Sequence, residues 1–481
     1  MATTVEQTPL YNINPATFKW IFVIKDDAVV SGVPIPYWNV KFSSAVFIGP
    51  VYSAIGNAAN IVATTKTVPN NSGVGMFDLS RFIESYTSPQ YNNFLSGSRV
   101  VRFHGQAGTL DYYFPIHVID NYSQNLTCAK YMEPRFKLEG ATSSNLPTQP
   151  VTTAVSGGVY LCYNGYLQNS FSLEKVVNNF GFDFKTAYAP LGPSYYGFLS
   201  DAPLIQYAFD DDYGVVSFFN SILNTYNKPD FIRITGTFAD GSTAFFDVQN
   251  TDANGGTTSV NSGVAWAQES ILFFGVFPGN LRQSNTTFNG WLSKPCDLVS
   301  YTFELFESSS KRAITQAHTV VINQRPQGRE YVPIRIGWLN TMGGWDYYTF
   351  KMKSSETIKN KRNDWTQIEG TWNRSSWNPQ GWKGGKKTLT VNSNRKYKVN
   401  TDFLTDAESS WFEAMINSPE HYIIKPWESW RAATNYDVFE KHVVAVRLTT
   451  SSYKKKTIAN DSLIQYSFDF EESRILKTQP V

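Results

Sequence analysis

Three consecutive aspartates, Asp210–Asp212, are the residues whose type and spacing come closest to those of a metal site. Three carboxylates at close quarters repel one another until a hard cation such as calcium neutralises them. The segment lacks the glycine and the distal glutamate of an EF-hand loop, however, and an acidic turn before Tyr213 and Gly214 explains it as well. The acidic turn is the favoured interpretation, and the sequence predicts no metal site.

Sequence patterns of the common catalytic and cofactor sites are absent. The chain has no His-Glu-x-x-His zinc motif, no Gly-x-Ser-x-Gly nucleophile elbow and no Rossmann glycine pattern. Gly381–Thr388 superficially resembles a phosphate-binding loop, but it lacks the Lys-Ser/Thr step after the second properly spaced glycine and is better interpreted as a basic turn. The histidines are His104, His117, His318, His421 and His442. No two of them have the spacing of metal ligands on a common element. The sequence therefore predicts a protein that is not an enzyme and that binds no cofactor.

The strongest chemical signal is a basic, tryptophan-rich stretch in the C-terminal third of the chain. Residues 351–400 contain 12 lysines and arginines against 3 acidic residues, whereas the whole chain has a net charge of only +2. A basic loop with indole side chains could bind nucleic acid through phosphate contacts and base stacking, or stack on sugar rings at a host surface. The tryptophans of this stretch are Trp365, Trp372, Trp377 and Trp382.

We favour a third interpretation, in which residues 360–398 form a long loop between strands that docks on an adjacent subunit. Tryptophan is over-represented among the residues that dominate the binding energy of protein interfaces. An acidic region in the middle of the chain is a natural electrostatic partner for such a loop. This region contains Asp201, Asp210, Asp211, Asp212, Asp230, Asp240, Asp247 and Asp252.

Alternating apolar and polar residues predict the strands that must position these side chains. Phe18–Lys25 alternates with a period of two, which is typical of a strand with one buried face. Residues 231–238 and 243–248 flank an Asp-Gly pair and predict a hairpin, because Asp-Gly tolerates positive φ. Ile464–Glu471 also alternates, which predicts a strand that packs on a core and turns its polar face to water or to a partner.

Two segments have the periodicity of an amphipathic helix. Asp78–Tyr86 has apolar residues at i, i+3, i+4 and i+7, with its first residue as the N-cap. Thr405–Ile416 begins with the spacing of a capping box, in which its first residue pairs with Glu408. This second segment carries Trp411 in its apolar stripe and stops before a Ser-Pro pair. We expect both helices to be short and to lie between strands.

The most specific fold element is the aromatic segment Trp338–Phe350. Two strand-like runs flank a turn that contains a Gly-Gly pair, where positive φ costs little. The large rings of both runs predict cross-strand aromatic pairs. Together with the helical tryptophan, the residues of this segment to which we assign an interface or structural role are Trp338, Asn340, Gly343, Gly344, Trp345, Asp346 and Trp411.

The composition fits a sheet-dominated protein. Aromatic residues make up 15% and charged residues 17% of the 481 residues, which disfavours a helical bundle or a coiled coil and suits surfaces that neighbours cover. Three scattered cysteines form neither a disulfide framework nor a zinc site. No apolar run approaches the roughly 18 residues of a membrane helix. The N-terminus lacks the features of a secretory signal, which predicts folding in a cytoplasm.

We therefore predict a mainly β protein with a multi-domain β-sandwich architecture and a few short covering helices. The polar segment Ala141–Pro150 predicts a linker, and Glu307–Gly328 predicts a second break. The expected domains are an N-terminal β domain with a short helix at 1–140, a middle β-sandwich domain at 151–310, and a C-terminal β domain at 329–481 that holds helix 405–416 and the basic loop 360–398.

The run Trp338–Phe350, with the pattern Trp-Leu-Asn-x-x-Gly-Gly-Trp-Asp-Tyr-Tyr-Thr-Phe, resembles a motif of virion structural proteins from tailed bacteriophages. Pro69–Arg81 also resembles these proteins. Three later segments also match these proteins, in the order in which they occur there. They are Asn363–Thr366, then Leu404–Glu408 together with Trp411 and the pair Ser418-Pro419, and finally Asn460–Glu471. The resemblance covers residues 333–472 well and the N-terminal domain in patches.

This resemblance implies a non-enzymatic structural component of a phage virion, assembled in the host cytoplasm and located in the tail, neck or baseplate. The chain would form a homo-oligomeric ring or hub and contact other virion proteins through strand edges and aromatic anchors, with no cofactor and no membrane. A tail-tube-like or hub-like C-terminal domain is compatible with the order of its strands and helix. The alternative is a host-surface glycan-binding module for adsorption, and genomic DNA is a further candidate ligand of the basic loop.

Overall fold

The structure, a computed structural model, shows a mainly β protein of the β-sandwich type with 52% of residues in strands and four short helices among the described residues. The predicted fold class is thereby confirmed. The structure describes residues 3–9, 11–29, 37–49, 52, 54–87, 100–102, 120–122, 129–166, 197–219, 231–249, 251–252, 271–293, 297–307, 312–323, 331–371, 375–425, 443–450, 452 and 464–477.

Short helices are interspersed among many strands along the described chain. The helices are α1 (Ser80–Thr87), α2 (Pro278–Ser284), α3 (Thr286–Ser293) and α4 (Asp406–Asn417). The strands are β1 (Thr4–Gln7), β2 (Ile13–Pro15), β3 (Ile21–Lys25), β4 (Trp38–Gly49), β5 (Ile61–Thr67), β6 (Val74–Asp78), β7 (Val100–Arg102), β8 (Asp120–Tyr122), β9 (Ala129–Ala141), β10 (Gln149–Pro150), β11 (Val155–Ser156), β12 (Tyr160–Tyr163), β13 (Ile205–Ala208), β14 (Val215–Phe219), β15 (Phe231–Phe238), β16 (Thr243–Gln249), β17 (Thr251–Asp252), β18 (Ile271–Gly275), β19 (Leu298–Glu307), β20 (Arg312–Ala313), β21 (His318–Ile322), β22 (Ile334–Leu339), β23 (Trp345–Phe350), β24 (Ser355–Gln367), β25 (Gly385–Asn400), β26 (His421–Ile424), β27 (Val443–Leu448), β28 (Ser467–Glu472) and β29 (Leu476–Lys477).

The chain divides into two compact units. Unit 1 comprises Met1–Gln324 with Asn340–Asp346, and unit 2 comprises Arg325–Leu339 with Tyr347–Val481. The three domains expected from the sequence stay a prediction.

The first part of unit 1 contains one sheet of strand order β1-β3-β6 and one of order β2-β12-β9-β4-β5. The period-two prediction for the third strand is confirmed, because Trp20, Phe22 and Ile24 are fully buried in the core. Helix α1 also forms where it is predicted, with Asp78 Oδ1 accepting the backbone N–H of Ser80 at its start.

The segment predicted as a linker, Ala141–Pro150, lies within a single sheet. Gln149 pairs with Gly140, so β10 returns antiparallel onto β9 after a turn. Polar and proline residues therefore mark a hairpin turn at this point, in contrast to the inter-domain linker expected from the same composition.

The later part of unit 1 is centred on a sheet of order β13-β21-β19-β15-β16, with β20 also on β19. The predicted hairpin is confirmed as β15–β16, and Gly241 in its turn has φ of +81°. Two smaller sheets have the orders β14-β18 and β17-β7-β8. Helices α2 and α3 are not predicted from the sequence, because seven and eight residues are too few to establish a helical period.

Unit 2 is built on a sheet of order β23-β22-β26-β27-β28-β25-β24, with β29 also on β25. Helix α4 has the predicted capping box and packs Phe412 against Phe468 with ring centroids 5.7 Å apart. The alternation of Ile464–Glu471 is confirmed apart from its last residue. Glu471 is buried because Lys396 and Arg447 on the neighbouring strands both pair with its carboxylate.

Candidate functional site

The basic stretch forms a long antiparallel hairpin, which we call the arm and define as residues 355–400. Its strands β24 and β25 pair continuously from Ser355 opposite Lys398 to Gln367 opposite Gly385. Leu389 is an extra residue in β25, where the register shifts. The loop predicted at 360–398 is therefore wrong in form, since most of these residues are in strands and only the tip, residues 368–384, connects them.

The arm leaves its sheet over much of its length. Among the described residues, β24 pairs with β25 alone, and β25 contacts β28 over Lys396–Asn400 and β29 over Asn392–Ser393. The seven residues of β25 nearest the tip, Gly385–Val391, pair in the sheet with β24 alone among the described strands. At about 3.4 Å per residue, these seven residues extend roughly 24 Å as a two-stranded ribbon.

Strand β24 is exposed to solvent on both of its faces. Every residue from Ser355 to Thr366 is exposed, and only Gln367 at its end is half-buried. The arm as a whole also exposes six large apolar side chains. They are Ile358 and Trp365 in β24, Ile368, Trp377 and Trp382 in the tip, and Leu389 in β25. Three of these side chains, Ile368, Trp377 and Trp382, belong to the tip, which makes the tip the candidate interaction surface.

Hydrogen bonds within the tip hold Trp377 in a defined position. Thr371 and Asn378 exchange backbone hydrogen bonds of 2.9 Å, and Trp377 Nε1 donates to the backbone carbonyl of Glu369 at 2.8 Å. Trp377 is nevertheless 55% exposed and Trp382 is 73% exposed. Trp372 lies outside the described residues.

The other tryptophans assigned a role from the sequence are part of the protein interior. Trp338 is fully buried, and its ring packs on Trp411 at 5.0 Å and on Phe412 at 6.1 Å between centroids. Trp345 is buried as well. Because buried rings offer no surface to a second copy, these residues stabilise the fold, whereas the described tryptophans of the arm are exposed.

The polar and glycine residues of the Trp338–Phe350 motif build a structural turn in unit 1. Asn340 Nδ2 donates to the carbonyl of Leu199 at 2.8 Å and to Asp346 Oδ1 at 3.1 Å, while its Oδ1 accepts the N–H of Gly344. Gly343 has φ of +79°, which favours glycine. Asn340, Gly343, Gly344 and Asp346 thus fix the turn and are not placed for chemistry.

The acidic segment predicted as a turn is tied to its own backbone. Asp212 is buried, and its Oδ2 accepts the N–H of Phe209 at 2.9 Å, while Asp210 lies 4.0 Å from Arg282. Within the described ranges, no group of three or more His, Cys, Asp or Glu side chains is arranged to hold a metal ion.

The two described histidines, His318 and His421, are core residues. His318 stacks on Phe303, and burial lowers its pKa to about 4. Burial also lowers the pKa of His421, whose Nε2 lies 2.7 Å from the carbonyl of Met415. Both side chains are therefore neutral at neutral pH and face the interior of their units.

Neither a comparison with protein-family models nor one with curated proteins finds a match to this sequence. In the part of the chain that the structure describes, no helix has the length and apolar character needed to cross a membrane.

Proposed function

We propose that this protein is a non-enzymatic assembly component that docks on neighbouring subunits through its arm. The observation that carries the proposal is the exposure of β24 on both faces together with the exposed apolar side chains of the tip. Most aromatic side chains in the rest of unit 2, such as Trp338, Trp411 and Phe412, pack in its core.

Contact with a neighbouring subunit would relieve two unfavourable features of the arm, namely its marginal stability and its unpaired backbone edge. A two-stranded ribbon in water is at best marginally stable, and its open edge exposes unpaired backbone groups. Docking buries the tip, and a strand of the neighbour added along β24 pairs the free edge. Burial of a large apolar side chain contributes about 1.5–3 kcal/mol, so Trp382 and Ile368 together are sufficient to dominate such an interface.

The setting we propose is the virion of a tailed phage, as a ring or hub in the tail, neck or baseplate. This part of the proposal rests on the resemblance of Trp338–Phe350 and the later motifs to phage structural proteins. The low share of charged residues, 17%, also suits a chain whose surface is largely covered in a particle. Its partners would be further copies of itself and other virion proteins.

The test of docking is a comparison of two double variants. Ile368→Ser/Trp382→Ser alters the tip, and Val332→Ser/Phe403→Ser removes two similarly exposed apolar side chains of unit 2 outside the arm. Sedimentation velocity of the full chain should show self-association weakened at least about tenfold by the tip variant alone, since tenfold equals about 1.4 kcal/mol. Equal behaviour of both variants, or a wild-type chain that stays monomeric and never co-purifies with particles, would refute docking through the tip.

A second candidate function is glycan binding during adsorption to a host. The exposure of Trp377 and Trp382 favours it, because indole faces that stack on sugars must be open to solvent. A glycan array should then show binding that Trp377→Ala abolishes and Phe403→Ala leaves intact. Absence of binding to host envelope sugars would end this alternative.

A further inference from the structure

The two faces of the paired strands in the arm differ in charge. Side chains alternate along a strand and cross-strand partners share a face, so Lys359, Lys361 and Trp365 lie on one face with Lys387, the partner of Trp365. Both acidic residues of β24, Glu356 and Asp364, lie on the opposite face. We call the first of these the lysine face.

The opposite face is closer to charge balance. It carries Arg362, Lys386 and Arg395 against Glu356 and Asp364, which gives a net charge of +1. Arg395 pairs with Glu356 at 3.0 Å, and Asp364 accepts a hydrogen bond from the hydroxyl of Thr388 at 3.1 Å. The paired strands place no acidic residue on the lysine face.

The charges of the lysine face are not balanced by the residues that the structure describes. Lys359 and Lys361 are exposed and make no ion pair within the described ranges, and Lys387 Nζ donates only to the uncharged backbone carbonyl of Trp382 at 3.3 Å. From position 359 to position 365 the row spans about 20 Å at 3.4 Å per residue. Like charges in such a row repel, so a ligand with an extended row of negative charge would stabilise them.

The acidic region of this chain is poorly suited to be that ligand. Asp247 forms a bidentate pair with Arg233, with distances of 2.7 and 2.8 Å. Asp240 accepts two hydrogen bonds from Ser242 in the hairpin turn, and Asp212 is buried. Asp247 is already paired with a cation of its own unit and Asp212 is buried, so these two carboxylates are poorly placed to bind the arm of a second copy.

We propose that the lysine face binds the phosphate backbone of double-stranded nucleic acid, with the ribbon lying in the major groove. Two paired strands lie about 5 Å apart, and a B-form major groove, about 12 Å wide, admits such a ribbon. The three lysines then contact phosphates along the groove, which positions the arm without reading sequence.

This inference goes beyond the proposed assembly role and uses a different part of the arm. Docking on protein uses the tip, at residues 368–384, and the backbone edge of β24, while the side chains of the lysine face bind nucleic acid. Either activity can therefore fail without the other.

The test measures duplex binding by the full chain as a function of salt. The variant Lys359→Gln/Lys361→Gln/Lys387→Gln removes the three charges, and Lys19→Gln/Lys41→Gln/Lys425→Gln removes three charges elsewhere as the matched control. Fluorescence anisotropy with a labelled 20-base-pair DNA duplex gives the slope of log affinity against log salt between about 50 and 200 mM. Each lost phosphate contact should reduce the magnitude of that slope by about 0.9, so the arm variant should lose up to about 2.7 and the control almost nothing.

Three results would overturn the proposal. The wild-type chain could fail to bind duplex at 50 mM salt, the two triple variants could have equal slopes, or polyglutamate could compete as well as unlabelled duplex. Sedimentation velocity on the same samples separates this proposal from docking. A lysine-face variant that loses self-association while duplex binding is unchanged would assign the face to a protein partner and refute the nucleic-acid site.

Discussion

The division of the tryptophans into interior and docking residues makes opposite predictions for Trp338 and Trp382. Trp338 is 0% exposed and packs on Trp411 and Phe412. Truncation of a buried Trp to Ala costs about 3–5 kcal/mol, because it removes buried area and leaves a cavity. A domain is typically stable by about 5–15 kcal/mol, so Trp338→Ala should remove roughly a fifth or more of the stability of unit 2.

Trp382→Ala should change the free energy of unfolding by no more than about 0.5 kcal/mol, which is typical of an exposed substitution. The assay is urea unfolding of the full chain by circular dichroism, at a concentration low enough to prevent self-association from adding apparent stability. The variant Trp338→Phe is measured as well, in case Trp338→Ala does not fold. It should cost less than Trp338→Ala, because most of the ring is kept and the buried Nε1 of Trp338 has no hydrogen-bond partner among the described residues.

The reasoning would be refuted if Trp338→Ala cost less than about 1 kcal/mol, or if Trp382→Ala cost as much as Trp338→Ala. The first result would mean that the Trp338 ring is not packed as described. The second would mean that the tip contributes to the fold of unit 2 and is not reserved for docking.

Two further predictions concern unit 1. The buried His318 has a pKa of about 4 against an ordinary value of 6.5, so the unfolded chain binds a proton that the folded chain does not between these values. Stability should therefore fall by up to roughly 3 kcal/mol as pH drops from about 6.5 to 4, and His318→Phe should flatten that dependence in pH-resolved urea unfolding. An added methyl group at Gly344 would overlap the Ser217 hydroxyl and the Leu199 carbonyl, whereas at Gly381 it would meet nothing. Gly344→Ala should lower the thermal midpoint, at a cost of about 1–3 kcal/mol, and Gly381→Ala should leave it unchanged. Equal midpoints for the two variants, or unchanged pH dependence in His318→Phe, would contradict these accounts.

Sequence patterns predict the strands and helices that have one buried side. Ile21–Lys25 and the hairpin β15–β16 carry a period of two because one face packs on a core. Helix α4 could be bounded from its capping box and its Ser-Pro stop. The turn at Gly343 could be predicted because the sequence has a Gly-Gly pair there, and glycine tolerates the positive φ that the structure shows.

The arm could not be predicted as strands for a physical reason. A ribbon with no buried face has no apolar alternation, and β24 is rich in Lys and Asn, which have low β propensity. Its composition therefore has the character of a loop. The alternation of Lys359 and Lys361 around Asn360 is the signal that could have indicated one charged face, but it becomes informative only when the cross-strand register is known.

Which tryptophans pack inside and which dock could not be read from the sequence either. Trp338 and Trp382 both directly follow a glycine, and the burial of each depends on contacts distant in sequence, such as that of helix α4 with Trp338. Glu471 illustrates the same limit, since two cations on adjacent strands allow burial of a side chain that alternation assigns to solvent.

Amide hydrogen exchange across residues 355–400, measured on the isolated chain and again after assembly, tests the central claim most directly. The account predicts fast exchange in the isolated chain along the outer edge of β24 and in the tip, and strong protection of both in the assembled state. The hairpin β15–β16 serves as the internal control with unchanged exchange. An assembled state in which the arm exchanges as fast as in the free chain would contradict the claim that neighbouring subunits cover it.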